Sequence, residues 1–90
     1  NKKNLNWLDL GCGNGEFLAQ VKKRGIRPYG FDLNTEDVRL AKTKGLNVFQ
    51  KNISEFYEYA VSKDIKFDVA SATGYFDVVN EPNQRIGNFE

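Results

Sequence analysis

The sequence predicts an α/β fold in which helices alternate with the strands of one parallel sheet. Three observations lead to this prediction: short extended apolar runs alternate with runs of helical spacing, glycines follow the helical runs, and no internal repeat is present. Strands that alternate with helices of about ten residues are typical of βαβ units. The 90 residues of the chain suffice for one small domain, residues 1–90.

The first half of the chain is predicted to form two strands and two helices. Residues 5–10 and 27–32 are extended runs, and Pro28 stands near the start of the second, where no ladder donor is needed. The apolar positions of each helix fall on one face, and a glycine follows each helix. In the first helix these residues are Phe17, Leu18 and Val21, followed by Gly25. In the second they are Val38 and Ala41, followed by Gly45, and Asn34 or Thr35 is the candidate N-cap of that helix.

The second half of the chain is predicted to add two strands and one helix. Residues 46–49 and 67–72 are extended apolar runs. Between them, Asn52 or Ser54 is a candidate N-cap for a helix. The inner face of that helix is predicted to carry Phe56, Tyr59 and Ala60.

Charge and composition exclude several classes of protein. The chain has 13 Lys and Arg against 12 Asp and Glu, a net charge of +1, so it carries no electrostatic signal for nucleic acid or a membrane surface. No apolar run is long enough to span a bilayer, and no signal-peptide pattern is present. The single cysteine fits a reducing compartment, and the lack of histidine removes the commonest metal ligand. We therefore expect a cytoplasmic protein with no metal site.

A glycine-rich loop follows the first strand. Residues 8–16 read LDLGCGNGE, a G-x-G-x-G turn with an acid, Asp9, two residues before its first glycine. Glu16 stands where the dinucleotide fingerprint needs its third glycine, and no lysine follows to bind phosphate. Glycines let a ligand approach the backbone, and nearby carboxylates suit ammonium groups or ribose hydroxyls. The alternative is a tight turn whose glycines serve packing alone.

A second acid lies at the end of the second predicted strand. Asp32 comes 21 residues after Gly11, and an acid about 20 residues beyond such a loop commonly accepts hydrogen bonds from two ribose hydroxyls. We expect Leu33, the next residue, to lie against an adenine face. The alternative is that Asp32 caps the following helix, although Asn34 or Thr35 can do so without it.

In its first motif, DLGCGNG at residues 9–15, the sequence resembles the class I S-adenosylmethionine (SAM)-dependent methyltransferases. The resemblance implies a Rossmann-like three-layer sandwich with the local strand order 3-2-1-4. It also implies that the loop amides receive the carboxylate of the donor's methionine part, while Asp9 holds its ammonium group directly or through water. The implied donor-binding residues of this loop are Gly11, Cys12, Gly13 and Gly15, with Cys12 as a small, packed side chain.

The same resemblance assigns residues after the third and fourth strands. Asn52 and Ile53 occupy the positions that reach the adenine amino group and a ring nitrogen. Many relatives carry aspartate where this chain has Asn52, and a purely capping Asn52 is the alternative. Ser71 belongs to the segment that flanks the sulfonium and the methyl group.

Residues 76–81, FDVVNE, are similar to the family stretch F-E-V-I-E-H. Asp77 replaces glutamate, Asn80 replaces the second acid, and Glu81 stands where a histidine is common. That histidine is the catalytic base in some members. Asp77 and Glu81 are therefore the local candidates for a general base, and the catalytic residues are otherwise unassigned.

The function that the resemblance implies is transfer of a methyl group from SAM to an acceptor, with a small molecule favoured and S-adenosylhomocysteine (SAH) as the product. Two alternatives stay open: a non-catalytic module or regulatory subunit that binds SAM or SAH, and a nicotinamide- or flavin-binding fold. We expect the chain to be the SAM-binding part of a longer protein, since the family's later strands have no counterpart here. The exposed edge of the fourth strand is then covered by missing residues or by another subunit.

Overall fold

Strands and helices alternate along residues 4–74, the part of the chain that the computed structural model describes. The elements are β1 (Asn6–Leu10), α1 (Glu16–Lys23), β2 (Arg27–Asp32), α2 (Thr35–Thr43), β3 (Asn47–Gln50), α3 (Ile53–Ser62) and β4 (Val69–Ser71). The strands form one sheet in the order β3-β2-β1-β4, and every pair is parallel. The predicted α/β fold and strand order are confirmed.

Two of the helices begin at asparagines that the sequence predicted as caps. Asn34 accepts a hydrogen bond from the backbone N–H of Asp37 at 2.8 Å. Asn52 forms a capping box with Glu55, in which each side chain accepts from the other residue's backbone N–H at 2.8 and 2.9 Å. These bonds satisfy first-turn donors that have no partner inside the helix. The starts of α2 and α3 are therefore set by local sequence.

The helices α1 and α2 cover one face of the sheet. Buried side chains in this core include Leu18, Val21, Val38, Ala41 and Val48. Phe17 was predicted for the same inner face, but its side chain is 36% exposed. It lies at the margin of the core, where its ring meets the ring of Trp7 edge-on with centroids 5.7 Å apart.

The opposite face of the sheet is covered by α3 through an aromatic core. Phe56 is 2% exposed and stacks on Phe31 of β2, with ring centroids 5.1 Å apart. Leu8 and Leu10 of β1 are only half-buried, and they border an apolar cavity of about 400 Å³ between α3 and the segment before β4. No residue of β4 lines this cavity, so the predicted cover for the edge of that strand stays a prediction.

The strand β4 is shorter than the sequence predicted. Residues 67–72 were expected to be extended, but only Val69–Ser71 pairs with β1. Phe67 packs its ring edge-on against Tyr29, with centroids 5.3 Å apart, and so belongs to the aromatic core. An apolar run therefore predicts burial here, while backbone pairing covers only part of it.

Candidate functional site

The glycine loop lies between β1 and α1, at the carboxyl ends of the parallel strands. Its glycines at positions 11, 13 and 15 have φ angles of 67°, 57° and 86°, which side chains rarely adopt. The backbone N–H of Cys12 donates to the carbonyl of Phe31 at 3.0 Å and so ties the loop to β2. In open parallel sheets, ligands bind at this end of the strands.

Two glycines of the loop have different surroundings. A Cβ added at Gly13 would meet nothing within 4 Å, so this position faces open space. A Cβ at Gly15 would lie 2.5 Å from Cδ1 of Leu46 and 3.1 Å from Cβ of Ala41, inside the core. The packing interpretation therefore explains Gly15, whereas Gly13 leaves room for a ligand against the backbone.

Asp32 holds the loop from the end of β2. Its Oδ2 accepts a hydrogen bond from the N–H of Gly13 at 2.9 Å, and its Oδ1 accepts from the N–H of Asn34 at 2.9 Å. A carboxylate offers about four lone-pair sites, so both oxygens can accept further donors. Since Asn34 and not Asp32 caps α2, the capping alternative for Asp32 is wrong.

Five residues that the sequence assigned to donor binding line one cavity of about 320 Å³. They come from the ends of three neighbouring strands: Gly11 after β1, Asp32 and Leu33 at β2, and Asn52 and Ile53 after β3. The structure thus brings together residues that are up to 42 positions apart in the chain.

The walls of this cavity are partly apolar. Leu33 is 64% exposed and Ile53 is 56% exposed, so two large apolar side chains stand in solvent beside a carboxylate and an amide. A ligand with a flat apolar ring and polar edges fits such a lining. Phe31 and Lys51 also line the cavity and were not assigned from the sequence. Their positions at the ends of β2 and β3 were the available signal.

Asp9, the acid before the glycine loop, does not line this cavity. It is fully buried, with 0% exposure. Its Oδ1 accepts from the hydroxyl of Ser71 at 2.8 Å and the N–H of Thr73 at 3.1 Å, and its Oδ2 accepts from the hydroxyl of Thr73 at 2.6 Å. Trp7 Nε1 donates to the Ser71 hydroxyl at 3.0 Å. Sequence reasoning missed Trp7 and Thr73, because their partners lie more than 60 residues away.

A second, more polar cavity of about 530 Å³ lies beside the loop. Its lining joins the loop residues Cys12 and Asn14 to Thr73 and Gly74 beyond β4, and it includes Glu16, Phe17 and Asp37. The two cavities thus border the glycine loop, one at the ends of β2 and β3 and the other at the end of β4.

A family described as "Methyltransferase domain" matches residues 1–89. The chain belongs to the methyltransferase domain family. This methyltransferase domain is 35% identical over 74 residues to a ubiquinone biosynthesis O-methyltransferase of Psychrobacter cryohalolentis. The match covers 80% of this chain and 26% of that relative, so the chain spans about a quarter of the length of the curated relative.

Solved structures resemble the methyltransferase domain in fold. A SAM-dependent methyltransferase from Archaeoglobus fulgidus is 34% identical, with a TM-score of 0.57 over 64% of this chain and 26% of that one. The plantazolicin methyltransferase BamL, solved with a triazolic desmethylPZN analogue and SAH, is 28% identical, with a TM-score of 0.53 over 60% and 22% of the two chains. The predicted membership of the class I SAM-dependent methyltransferases is thus confirmed.

The candidate bases of the methyltransferase domain, Asp77 and Glu81, lie outside the described residues, so the assignment of the base stays a prediction.

Within residues 4–74, no group of His, Cys, Asp and Glu side chains has the arrangement of a metal site. None of the helices in that range is both long and apolar enough to cross a membrane.

Cys12 is a packed side chain within the loop, as predicted. It is 7% exposed. Burial, followed by the negative charges of Asp9 and Asp32, raises the pKa of its thiol to about 12. A thiol with this pKa keeps its proton at neutral pH and is a poor nucleophile.

We expect Cys12 to make stability fall at alkaline pH. The ordinary pKa of 9.0 applies to the unfolded chain, and a value of about 12 applies to the folded one. Below pH 9.0 both states hold the proton; between these values only the folded state does, so the free energy of unfolding falls by up to about 1.4 kcal/mol per pH unit. Urea unfolding at about pH 8.5 and about pH 10.5 measures this slope.

The matched control for this measurement is Cys12→Ala, which lacks the titrating thiol. All other side chains are common to the two proteins, so their contributions cancel in the comparison. The wild-type protein should lose more stability than the variant over the same pH interval. Equal losses in the two proteins would show that Cys12 does not have a raised pKa.

Proposed function

We propose that the protein is a SAM-dependent methyltransferase and that the described residues form its methyl-donor site. The observation that carries this proposal is the cavity of about 320 Å³ in which Gly11, Asp32, Leu33, Asn52 and Ile53 converge. The solved relative that contains SAH and the relatives named as SAM-dependent or O-methyltransferases support the same ligand.

The lining of this cavity fits the adenosine part of SAM. Asp32 has acceptor capacity left on both oxygens and would hold the two ribose hydroxyls. Asn52 and the backbone of Ile53 would bind the adenine edge, while the exposed side chains of Leu33 and Ile53 would contact its faces. Asn52 can serve as a helix cap at the same time, since its capping bond uses only its side-chain oxygen and its own N–H.

The glycine loop fits the amino-acid part of the same molecule. Gly13 faces open space, so a ligand can approach its backbone without meeting a side chain. The N-terminus of α1 follows directly at Glu16, and the positive end of a helix dipole favours a carboxylate. We propose that Gly11, Cys12, Gly13 and Gly15 form the backbone wall of this subsite, with Asp9 and Ser71 behind it.

When bound, SAM supplies an already activated methyl group. The chain's own residues then have to hold the donor in one orientation beside the acceptor, and such positioning contributes roughly 7–11 kcal/mol to lowering a barrier. We propose a small-molecule acceptor, because one relative is named for ubiquinone biosynthesis and another for plantazolicin. Asp77 and Glu81 are the proposed local bases where the acceptor needs one.

Three further assignments belong to this proposal. We place the protein in the cytoplasm, since the chain has a single cysteine and its described residues contain no helix that could cross a membrane. The small net charge of +1 supports an acceptor other than nucleic acid. An apolar surface is open between α3 and the segment before β4. This supports the proposal that residues outside the described range, or another subunit, cover that side of the sheet.

Calorimetric titration of the purified protein with SAH, with NAD as the control, tests the donor site. We expect micromolar binding of SAH and none of NAD. A folded protein, judged by a cooperative melt, that binds NAD in preference to SAH would contradict the proposal. Binding of SAH without methyl transfer to any of a varied set of acceptors would instead favour the non-catalytic alternative.

A further inference from the structure

Asp9 is a buried acid that hydrogen-bonds to Ser71 and Thr73 and is not among the residues that line the adenosine cavity. We propose that Asp9 is a positioning residue, which holds Thr73 and Gly74 against the glycine loop and thereby builds the wall for the amino-acid part of the donor. This inference rests on the proposed donor site and adds to it a residue pair, Asp9 and Thr73, that controls one half of the ligand.

The carboxylate of Asp9 extends the contact between the β1 and β4 segments beyond the end of their backbone pairing. Backbone pairing between β1 and β4 covers only three residue pairs and stops at Asp9 and Ser71. Beyond that point, the carboxylate of Asp9 accepts from both the N–H and the hydroxyl of Thr73, at 3.1 and 2.6 Å. Hydrogen bonds to an ionised acceptor are stronger than neutral ones. They therefore fix Thr73 after the ladder has stopped.

Trp7 and Ser71 hold the carboxylate of Asp9 in place. The Ser71 hydroxyl donates to Asp9 at 2.8 Å and accepts from Trp7 Nε1 at 3.0 Å. Within residues 4–74, every buried side-chain nitrogen or oxygen has a hydrogen-bond partner. Since Asp9 has 0% exposure, the orientation of its carboxylate is set by its partners Ser71, at the end of β4, and Thr73, two residues beyond it.

Thr73 is connected to the glycine loop through the next residue, Gly74. Gly74 follows Thr73, and a Cβ at Gly74 would overlap the carbonyl oxygen of Gly11. The backbone beyond β4 is therefore in direct contact with the first loop glycine, which lines the adenosine cavity. Thr73 and Gly74 also line the more polar cavity beside the loop. A shift of Thr73 would move this wall while leaving the ends of β2 and β3 unchanged.

The test compares two ligands on Thr73→Val, which keeps the shape of the side chain and removes its hydroxyl. We expect the Kd for SAH to rise about tenfold, because Thr73 and Gly74 are then held less firmly against the glycine loop. The Kd for adenosine, measured by NMR titration, should stay within about twofold of the wild-type value, because Asp32 and Asn52 bind that part. Thr73→Ser restores the hydroxyl and should restore SAH binding.

A purely structural role would give a different pattern. If Thr73→Val weakens SAH and adenosine equally, or leaves SAH binding unchanged, the positioning proposal is overturned. Asp9→Asn provides a second variant, because its amide places a donor against the donors of Thr73, and it should show the same selective loss of SAH. A wild-type protein that binds adenosine but not SAH removes the donor-site proposal itself, and the positioning proposal falls with it.

Discussion

Replacing Asp32 with alanine is expected to raise the Kd for SAH about tenfold or more, a loss of about 1.4 kcal/mol. The carboxylate faces the adenosine cavity with acceptor capacity left on both oxygens. It also accepts from the N–H of Gly13 at 2.9 Å, so its removal frees the glycine loop. Calorimetric titration of wild-type and Asp32→Ala proteins with SAH, at a temperature where both are folded, measures the change.

Two variants separate the hydrogen bonds of Asp32 from its charge. Asp32→Asn keeps the shape of the side chain and one acceptor oxygen, and it should bind SAH with an affinity between those of wild-type and Asp32→Ala. Asp64→Asn removes an equal charge from a side chain that is 86% exposed and lies between α3 and β4. Asp64 has a φ of 55°, which asparagine tolerates, so this control should bind SAH normally.

If Asp32→Ala is folded and binds SAH with an unchanged Kd, Asp32 does not belong to the donor site. If Asp64→Asn weakens binding as much as Asp32→Asn, the loss comes from net charge alone. Neither result is expected, because Asp32 bonds to the glycine loop and lines the cavity, whereas Asp64 is not among the lining residues.

Replacing Gly15 with alanine is expected to destabilise the fold by about 3 kcal/mol. A non-glycine residue in the left-handed region costs about 1–2 kcal/mol, and a tight core contact adds about 1–3 kcal/mol. Both costs apply, since Gly15 has a φ of 86° and its added Cβ would lie 2.5 Å from Cδ1 of Leu46. Urea unfolding followed by circular dichroism measures the free energy of unfolding of both proteins.

Gly13→Ala is the matched control for this stability prediction. Gly13 has a φ of 57°, so the same substitution carries the same kind of backbone strain. Its added Cβ meets nothing within 4 Å, and only the strain of about 1–2 kcal/mol should remain. The melting temperature of Gly15→Ala should lie about 10 °C below that of Gly13→Ala. Equal stabilities would mean that the contact with Leu46 is relieved without cost.

Much of the donor site was predictable because its signals lie in the order and spacing of the chain. The G-x-G-x-G turn follows from neighbouring residues, the acid at position 32 from its distance of 21 residues to Gly11, and the residues after the third strand from the family resemblance. The topological rule that strand ends meet at one edge then brings these segments together. Their convergence in one cavity agrees with that reasoning. Phe31 and Lys51 were missed because side-chain direction at a strand end depends on the register of the sheet.

The sequence by itself determined the order of strands and helices and the place of the glycine loop, and it limited the caps to Asn34 or Thr35 and to Asn52 or Ser54, since propensity, spacing and capping act between neighbouring residues. Only the tertiary structure decided the length of β4, the exposure of Phe17 and the partners of Asp9. Asp9 and Thr73 are 64 positions apart, and no local pattern specifies a contact over that separation. Such a contact exists only after two parallel strands have paired and the helices have packed against them.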